Sequence, residues 1–227
     1  MKTHLVLFDI DGTLLTSGGA GEKALRLALA DRFGLESGLN GIEIAGRTDS
    51  GIARQIFARE SIEASPENLT AFFDRYLHHL AQQLPQAQGR LLPGILELLG
   101  KLAQRPQVAL GLLTGNLEAG AKLKLTHYGV WDYFEFGAYA DDHHDRNQLG
   151  KFARVRAEER HGCTFAPEQI FILGDTAHDV ACARAIGAKA VAIATGGNTR
   201  EELEQSQPDF LFSDLSDVDA VIRELGF

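Results

Sequence analysis

Four apolar runs constrain the fold of this chain more than any other feature: Leu5-Val6-Leu7-Phe8, Val108-Ala109-Leu110-Gly111-Leu112-Leu113, Ile170-Phe171-Ile172-Leu173 and Ala190-Val191-Ala192-Ile193-Ala194. Each is apolar at every position rather than at alternate ones. A strand built from such a run must be covered on both faces, which is the condition inside a parallel sheet. A buried helix segment is the competing reading of any single run. The shortness of the runs, and the polar or glycine residues that end them, favour strands.

Stretches of helical period lie between the runs. Residues 95–104 repeat Leu96, Leu99 and Leu102, residues 150–161 are charged on one side, and residues 178–186 are rich in alanine. Strands alternating with helices imply right-handed βαβ units and an α/β fold, a doubly wound (Rossmann-like) parallel sheet with helices on both faces. Residues 209–225 read as a short strand and a closing helix, and Thr199 with Glu202 forms a capping-box pattern. Residues 17–90 break the alternation. They carry amphipathic helices over 21–33, 49–60 and 66–83 and no strand, with Ser65 as N-cap and Pro66 at the first helical position of the third. This reads as a small helical cap domain (17–90) inserted after the first strand of a core formed by 1–16 and 91–227. The two crossings fall at 16–21 and 90–94, both glycine-bearing.

Charge removes whole classes of function. With 22 Lys and Arg against 31 Asp and Glu, the 227-residue chain carries a formal charge of −9. Neutralising phosphates of a nucleic acid needs a basic face, and a membrane surface asks for the same, so neither is an expected partner. No apolar stretch approaches the ~18 residues of a membrane span. The first run stops at Asp9, too short for a signal peptide. Cys163 and Cys182 form neither a CxxC pair nor a disulfide framework, which suits a reducing cytoplasm. No feature specifies an oligomeric state.

In open α/β sheets ligands bind beyond the carboxyl ends of the strands. The first run ends in Asp9-Ile10-Asp11-Gly12-Thr13, the second in Thr114-Gly115-Asn116, and the third in Gly174-Asp175-Thr176-Ala177-His178-Asp179. Carboxylates and hydroxyls therefore gather at one edge. Two carboxylates about 4 Å apart repel by roughly 4 kcal/mol at an effective dielectric of 20, so several ionised together call for a cation or shifted pKa values. Donors that are all oxygen select a hard divalent ion such as Mg²⁺, and Mg²⁺ held by a few carboxylates typically accompanies a phosphate. The Thr114 hydroxyl and the N–H groups of the glycine turns would donate to that phosphate.

Asp-x-Asp-Gly-Thr after a first strand, Thr-Gly-Asn after a second and Gly-Asp-x-x-x-Asp after a later one resemble the haloacid dehalogenase superfamily. The helical insert directly after the first motif resembles subfamily I, which includes phosphoglycolate phosphatases. The resemblance covers essentially the whole chain. It implies a phosphatase acting on a small phosphate ester, 2-phosphoglycolate-like or a sugar phosphate, through an aspartyl-phosphate. Asp9 would be the nucleophile, and Asp11, two residues on along an extended backbone, the general acid and base. The Asp9 carboxylate, the Asp11 carbonyl and Asp175 would hold Mg²⁺, with Asp179 ligating or orienting. Thr114 would bind phosphoryl oxygens, assisted by Asn116 and by the backbone of Gly12 and Gly115. A phosphomutase on the same scaffold, a dehalogenase, which lacks the second acid of the first motif, and a non-catalytic binding module are the alternatives.

The family pattern also has a basic residue, usually Lys before Pro, ahead of the helix that precedes the last acidic motif. This chain has no such Lys-Pro; Arg146, in Asp145-Arg146-Asn147 before that helix, is the better placed candidate, and Lys151, already within the helical stretch, the alternative. Ala45-Gly46-Arg47-Thr48-Asp49 resembles the cap loop that faces the core, where Arg47 would meet a substrate carboxylate or phosphate. Asp179 has a plainer reading as a first-turn helix acid. His143-His144 reads as a polar loop, and His78-His79 as a helix pair whose side chains diverge.

Overall fold

The computed structural model describes residues 2–36 and 39–227. Strand β1 (His4–Phe8) is the first apolar run, buried from Leu5 onward. Next come β2 (Leu15–Thr16), helices α1 (Ala20–Phe33), α2 (Asp49–Arg59) and α3 (Pro66–Gln83), and β3 (Arg90–Leu91). The rest alternates as α4 (Ile95–Ala103), β4 (Val108–Leu113), α5 (Glu118–His127), β5 (Gly137–Ala138), α6 (Leu149–His161) and β6 (Ile170–Gly174). It closes with α7 (Ala177–Ala185), β7 (Lys189–Ile193), α8 (Arg200–Gln205), β8 (Phe210–Phe212) and α9 (Val218–Leu225).

The four apolar runs are β1, β4, β6 and β7. Among the described residues they form, with β5 and β8, a six-stranded parallel sheet in the order β5-β4-β1-β6-β7-β8. The central strand sets the site. Phe8 lies opposite Leu112 of β4 and opposite Leu173 of β6, so Asp9, Thr114 and Asp175 leave the sheet at the same edge. Strand order reverses beside β1, the place where α/β sheets open a crevice.

Alternating side chains explain why the runs are apolar throughout. Val6, Phe8, Leu110, Leu112 and Phe171 pack on one face with Leu98, Leu102, Val221 and Ile222 of α4 and α9. Leu5, Leu7, Leu113, Ile170 and Ile172 pack on the other with Leu149 and Ala153 of α6 and Val180 of α7. One expected core position differs. Leu96 is 55% exposed, while Ile95, Leu98, Leu99 and Leu102 carry the buried stripe of α4. The apolar face is set by its two neighbouring layers, and the Leu96 spacing alone falls one position off it.

Helices α1–α3 gather a third cluster of their own, with Leu25, Leu29, Ile56, Phe57, Phe72 and Tyr76 buried. Phe33 meets Phe57 edge-on at 5.2 Å and Phe57 meets Phe72 at 5.7 Å, geometries that add to the area term. Helix α3 starts as expected, the Ser65 hydroxyl accepting from Asn68 N at 3.3 Å ahead of Pro66. The two crossings carry an unexpected ribbon: β2 and β3 pair antiparallel, Leu15 opposite Leu91 and Thr16 opposite Arg90. Among the described residues, no helix is long and apolar enough to cross a membrane.

Candidate active site

Asp9 follows β1, Asp175 follows β6 and Asp179 sits in the first turn of α7; all three are buried. One carboxylate oxygen from each lies within 4.8 Å of the other two. The guanidinium of Arg146 stands among them, 3.0 Å from Asp9 Oδ1 and 2.5 Å from Asp179 Oδ1. Asp145 accepts from Asn147 N at 3.0 Å, starting the tight turn over Arg146–Gln148 that brings Arg146 inward. Burial raises the Asp9 pKa; Arg146 opposes it, and Asp179 and Asp11 push it further up. Asp175 is raised by burial and then by Asp179 and Asp9. Burial works against the charge on Arg146, but Asp179 and Asp9 outweigh it and hold the group cationic.

Three crowded carboxylates beside one arginine are short of positive charge, and their donor atoms are all oxygen. They fit a hard divalent cation. Space around Asp175 is kept by glycines. A Cβ on Gly12, whose φ is +85°, would fall 2.3 Å from Asp175 Oδ2, and one on Gly196 would fall 1.7 Å from it. Gly197 N donates to the same oxygen at 2.9 Å, and Thr13 Oγ1 donates to Oδ1 at 3.2 Å. The loop Thr195-Gly196-Gly197 beyond β7 is thus part of the site, tied to the first motif where Thr195 Oγ1 donates to Gly12 O at 2.7 Å. It carries no acid, so a search for chemistry-bearing side chains passes over it.

The other flank joins Asp11 to the second motif. Asn116 Nδ2 donates to Asp11 Oδ2 and to Thr114 Oγ1, each at 2.9 Å. Lys124, on the face of α5 turned toward the sheet edge, donates to Asp11 Oδ2 at 2.5 Å and to Asn116 Oδ1 at 2.6 Å. Asp11, Asn116 and Lys124 line a cavity of about 440 Å³ with Asp9, Asp175 and Arg146 on its floor and Leu25, Ile52 and Tyr76 of the helical insert on its roof.

The insert is fastened over this cavity by α2. Asp49 N donates to Gly115 O at 2.7 Å, and Asp49 Oδ2 accepts from Leu117 N at 2.9 Å. Thr48 Oγ1 donates to His144 O at 2.6 Å. A Cβ on Gly115 would lie 2.1 Å from Arg47 O, so the second motif needs glycine for this approach. Burial pushes Asp49 up to about 6, against the opposing pull of Lys124 and the Leu117 N–H. An acid whose folded pKa exceeds its unfolded value binds its proton more tightly when folded. Stability is therefore fully present below the unfolded value of 3.8 and is lost as pH rises through about 6. Asp49→Asn keeps an acceptor for Leu117 N without the charge. At about pH 8 it is expected to stabilise the fold by on the order of 2 kcal/mol, a Tm rise of roughly 4–8 °C, and to flatten the profile between about pH 4 and pH 7. Thermal melts across that range check it.

Of the expected site residues, Asp9, Asp11, Gly12, Gly115, Asn116, Arg146 and Asp175 line the one cavity, with Thr114 bonded to Asn116 and Asp179 to Arg146. Arg47 also lines it, but its side chain is 41% exposed and its guanidinium is held by Glu43 at 2.5 Å. Lys151 is exposed on α6, its Nζ donating to Gln148 Oε1 at 2.9 Å. Asp179 is a first-turn acid as well, accepting from Thr176 N at 3.0 Å and Thr176 Oγ1 at 2.7 Å. The rings of His143 and His144 stack on each other at 4.5 Å.

A profile of the haloacid dehalogenase-like hydrolase family matches residues 6–193, from β1 through the insert to the end of β7. The chain belongs to this family. The phosphoglycolate phosphatase of Synechococcus elongatus is 27% identical over 223 residues, which cover 97% of this chain and 97% of that protein. The phosphoglycolate phosphatase of Escherichia coli is 26% identical over 237 residues, covering 94% and 90%. A hydrolase from Pseudomonas syringae has the same fold, with a TM-score of 0.72 at 20% identity over 98% of this chain and 99% of that one. Haloacid dehalogenase-like hydrolases are thus matched along the core and the insert alike.

Proposed function

We propose that this haloacid dehalogenase-like hydrolase is a Mg²⁺-dependent phosphatase that cleaves a small phosphate monoester through phosphorylated Asp9. The convergence of Asp9, Asp175 and Asp179 within 4.8 Å, with Arg146 among them, carries the reading. Asp9, Asp175 and the Asp11 carbonyl would hold the ion. When bound, the ion offsets the charge of these carboxylates and of the phosphoryl group. Both oxygens of Asp179 already accept, from Arg146 and from Thr176, which supports its acting by orienting Arg146.

An oxygen of Asp9 attacks phosphorus as the ester P–O bond breaks, and Asp11 passes its proton to the departing oxygen. Asp11 then takes a proton from the water that attacks the phosphorus on Asp9. Phosphate leaves, and both acids are restored. Thr114, Arg146 and the N–H groups of Gly12 and Gly115 bind the phosphoryl oxygens. Residues 17–90 act as a cap that keeps bulk water from the phosphorylated carboxylate, and residues 1–16 and 91–227 form the catalytic core.

The relatives named phosphoglycolate phosphatase support a 2-phosphoglycolate-like substrate. The 440 Å³ cavity suits a small ester of this kind or a sugar phosphate. A phosphate-release screen over metabolite monoesters with Mg²⁺ tests the reading. Release from a small ester is expected, with 2-phosphoglycolate among the best; silence across the panel from folded, Mg²⁺-supplied protein overturns it.

A further inference from the structure

Two lysines sit two positions apart on α5, and their fates differ. Lys122 Nζ lies 6.0 Å from the ring centroid of Trp131, whereas the Lys124 side chain is 4% exposed and ends in the cavity. An ammonium group donates and never accepts. Its 2.6 Å contact with Asn116 therefore settles which end of that amide faces it: the oxygen. Nδ2 must then face the other way, toward Asp11 Oδ2 and Thr114 Oγ1. Thr114 Oγ1 accepts from Asn116 Nδ2 at 2.9 Å and from Asn116 N at 3.3 Å, which leaves its own O–H to donate elsewhere. Lys124 and Asn116 converge on one oxygen of Asp11, Oδ2, so a proton destined for a leaving group belongs on Oδ1.

We propose that Lys124 is a positioning residue which, acting through Asn116 and Asp11, fixes the sense of the hydrogen bonds so that Thr114 and Asp11 present their protons to the phosphate ester. The inference rests on the phosphatase reading above. A point cation suits this task because its three donors impose one direction on every group they touch.

The test compares two esters in Lys124→Met. Glycerol 2-phosphate releases an alkoxide that needs a proton; p-nitrophenyl phosphate releases a phenolate that leaves without one. On glycerol 2-phosphate, kcat is expected to fall about 10²–10³-fold, the scale of a lost general acid, with KM changed by less than about threefold. On p-nitrophenyl phosphate the loss in kcat/KM is expected to be at least about tenfold smaller. Lys124→Gln, which keeps a polar chain in the same space, is read the same way if the methionine variant does not fold. An equal loss on both esters, or a loss taken in KM alone, overturns the role of Lys124. Wild-type release from both esters, abolished in Asp9→Asn, checks the phosphatase reading separately. If folded, Mg²⁺-supplied wild type cleaves neither these esters nor any of the metabolite panel, both inferences fall. If a panel monoester is the one cleaved, it replaces glycerol 2-phosphate in the comparison; if the Lys124 variants lose equally on both esters, only the second inference falls.

Discussion

Asp9→Asn is expected to lower phosphate release by about 10⁴-fold or more, the scale on which an enzyme loses its nucleophile. The amide has nearly the shape of the carboxylate, so the packing beyond β1 survives. It is a poor nucleophile toward phosphorus, however, and forms no stable phosphoryl adduct. Stability separates this from a structural defect. Burial and two neighbouring acids hold the Asp9 pKa above its ordinary range, so the ionised side chain costs folding free energy in the absence of a metal. The variant should therefore melt no lower than wild type in EDTA while its activity is lost. Acid quenching during turnover, followed by peptide mapping, should find phosphate on Asp9 in wild type and none in the variant. Substantial turnover by Asp9→Asn would remove the proposed intermediate.

The second large effect concerns the ion. EDTA is expected to abolish phosphate release, and the melting curve provides a readout that does not depend on activity. Asp9 and Asp175 both have raised folded pKa values, so in EDTA stability should decline as pH climbs from about 4 to about 8, the interval between their unfolded and folded values. Mg²⁺, in binding the ionised form, is expected to oppose that decline. At 100 times its dissociation constant it adds about 2.7 kcal/mol, a Tm increase of roughly 5–10 °C for a chain of this size. Asp175→Asn, which removes one donor, should erase most of the increment. A Tm indifferent to Mg²⁺ near pH 8 would argue that Asp9 and Asp175 do not share an ion.

Sheet and site differ in how far they can be read from the amino-acid order. β1, β4, β6 and β7 are legible because two covered faces demand an apolar residue at every position, and the acids at their ends stand out against those runs. β5 has two residues, Gly137 and Ala138, with no side-chain pattern to betray it; it exists because β4 offers a free edge at Leu112 and Leu113. The ribbon of β2 and β3 is equally short. α5 escapes a periodicity search because its inward face spends one position on Lys124, beside Ala121 and Leu125. Nothing local distinguishes Lys124 from Lys122; only the approach of Asp11 and Asn116 from other segments does. Its place just ahead of α6 favours Arg146 over Lys151 along the chain, and the turn begun at Asp145 is what carries it inward.

The pairing of Leu15 with Leu91 and of Thr16 with Arg90 has a consequence for how this architecture tolerates change. Because the segment enters and leaves through adjacent, hydrogen-bonded strands, the sheet experiences everything between them as a closed loop whose ends already touch. Closure entropy grows only with the logarithm of loop length, so lengthening, shortening or exchanging the helices above the stem alters that term by a fraction of a kcal/mol to about 1 kcal/mol. Selectivity for the organic part of a substrate can then diversify above the stem while the register that aligns the acids below it stays untouched.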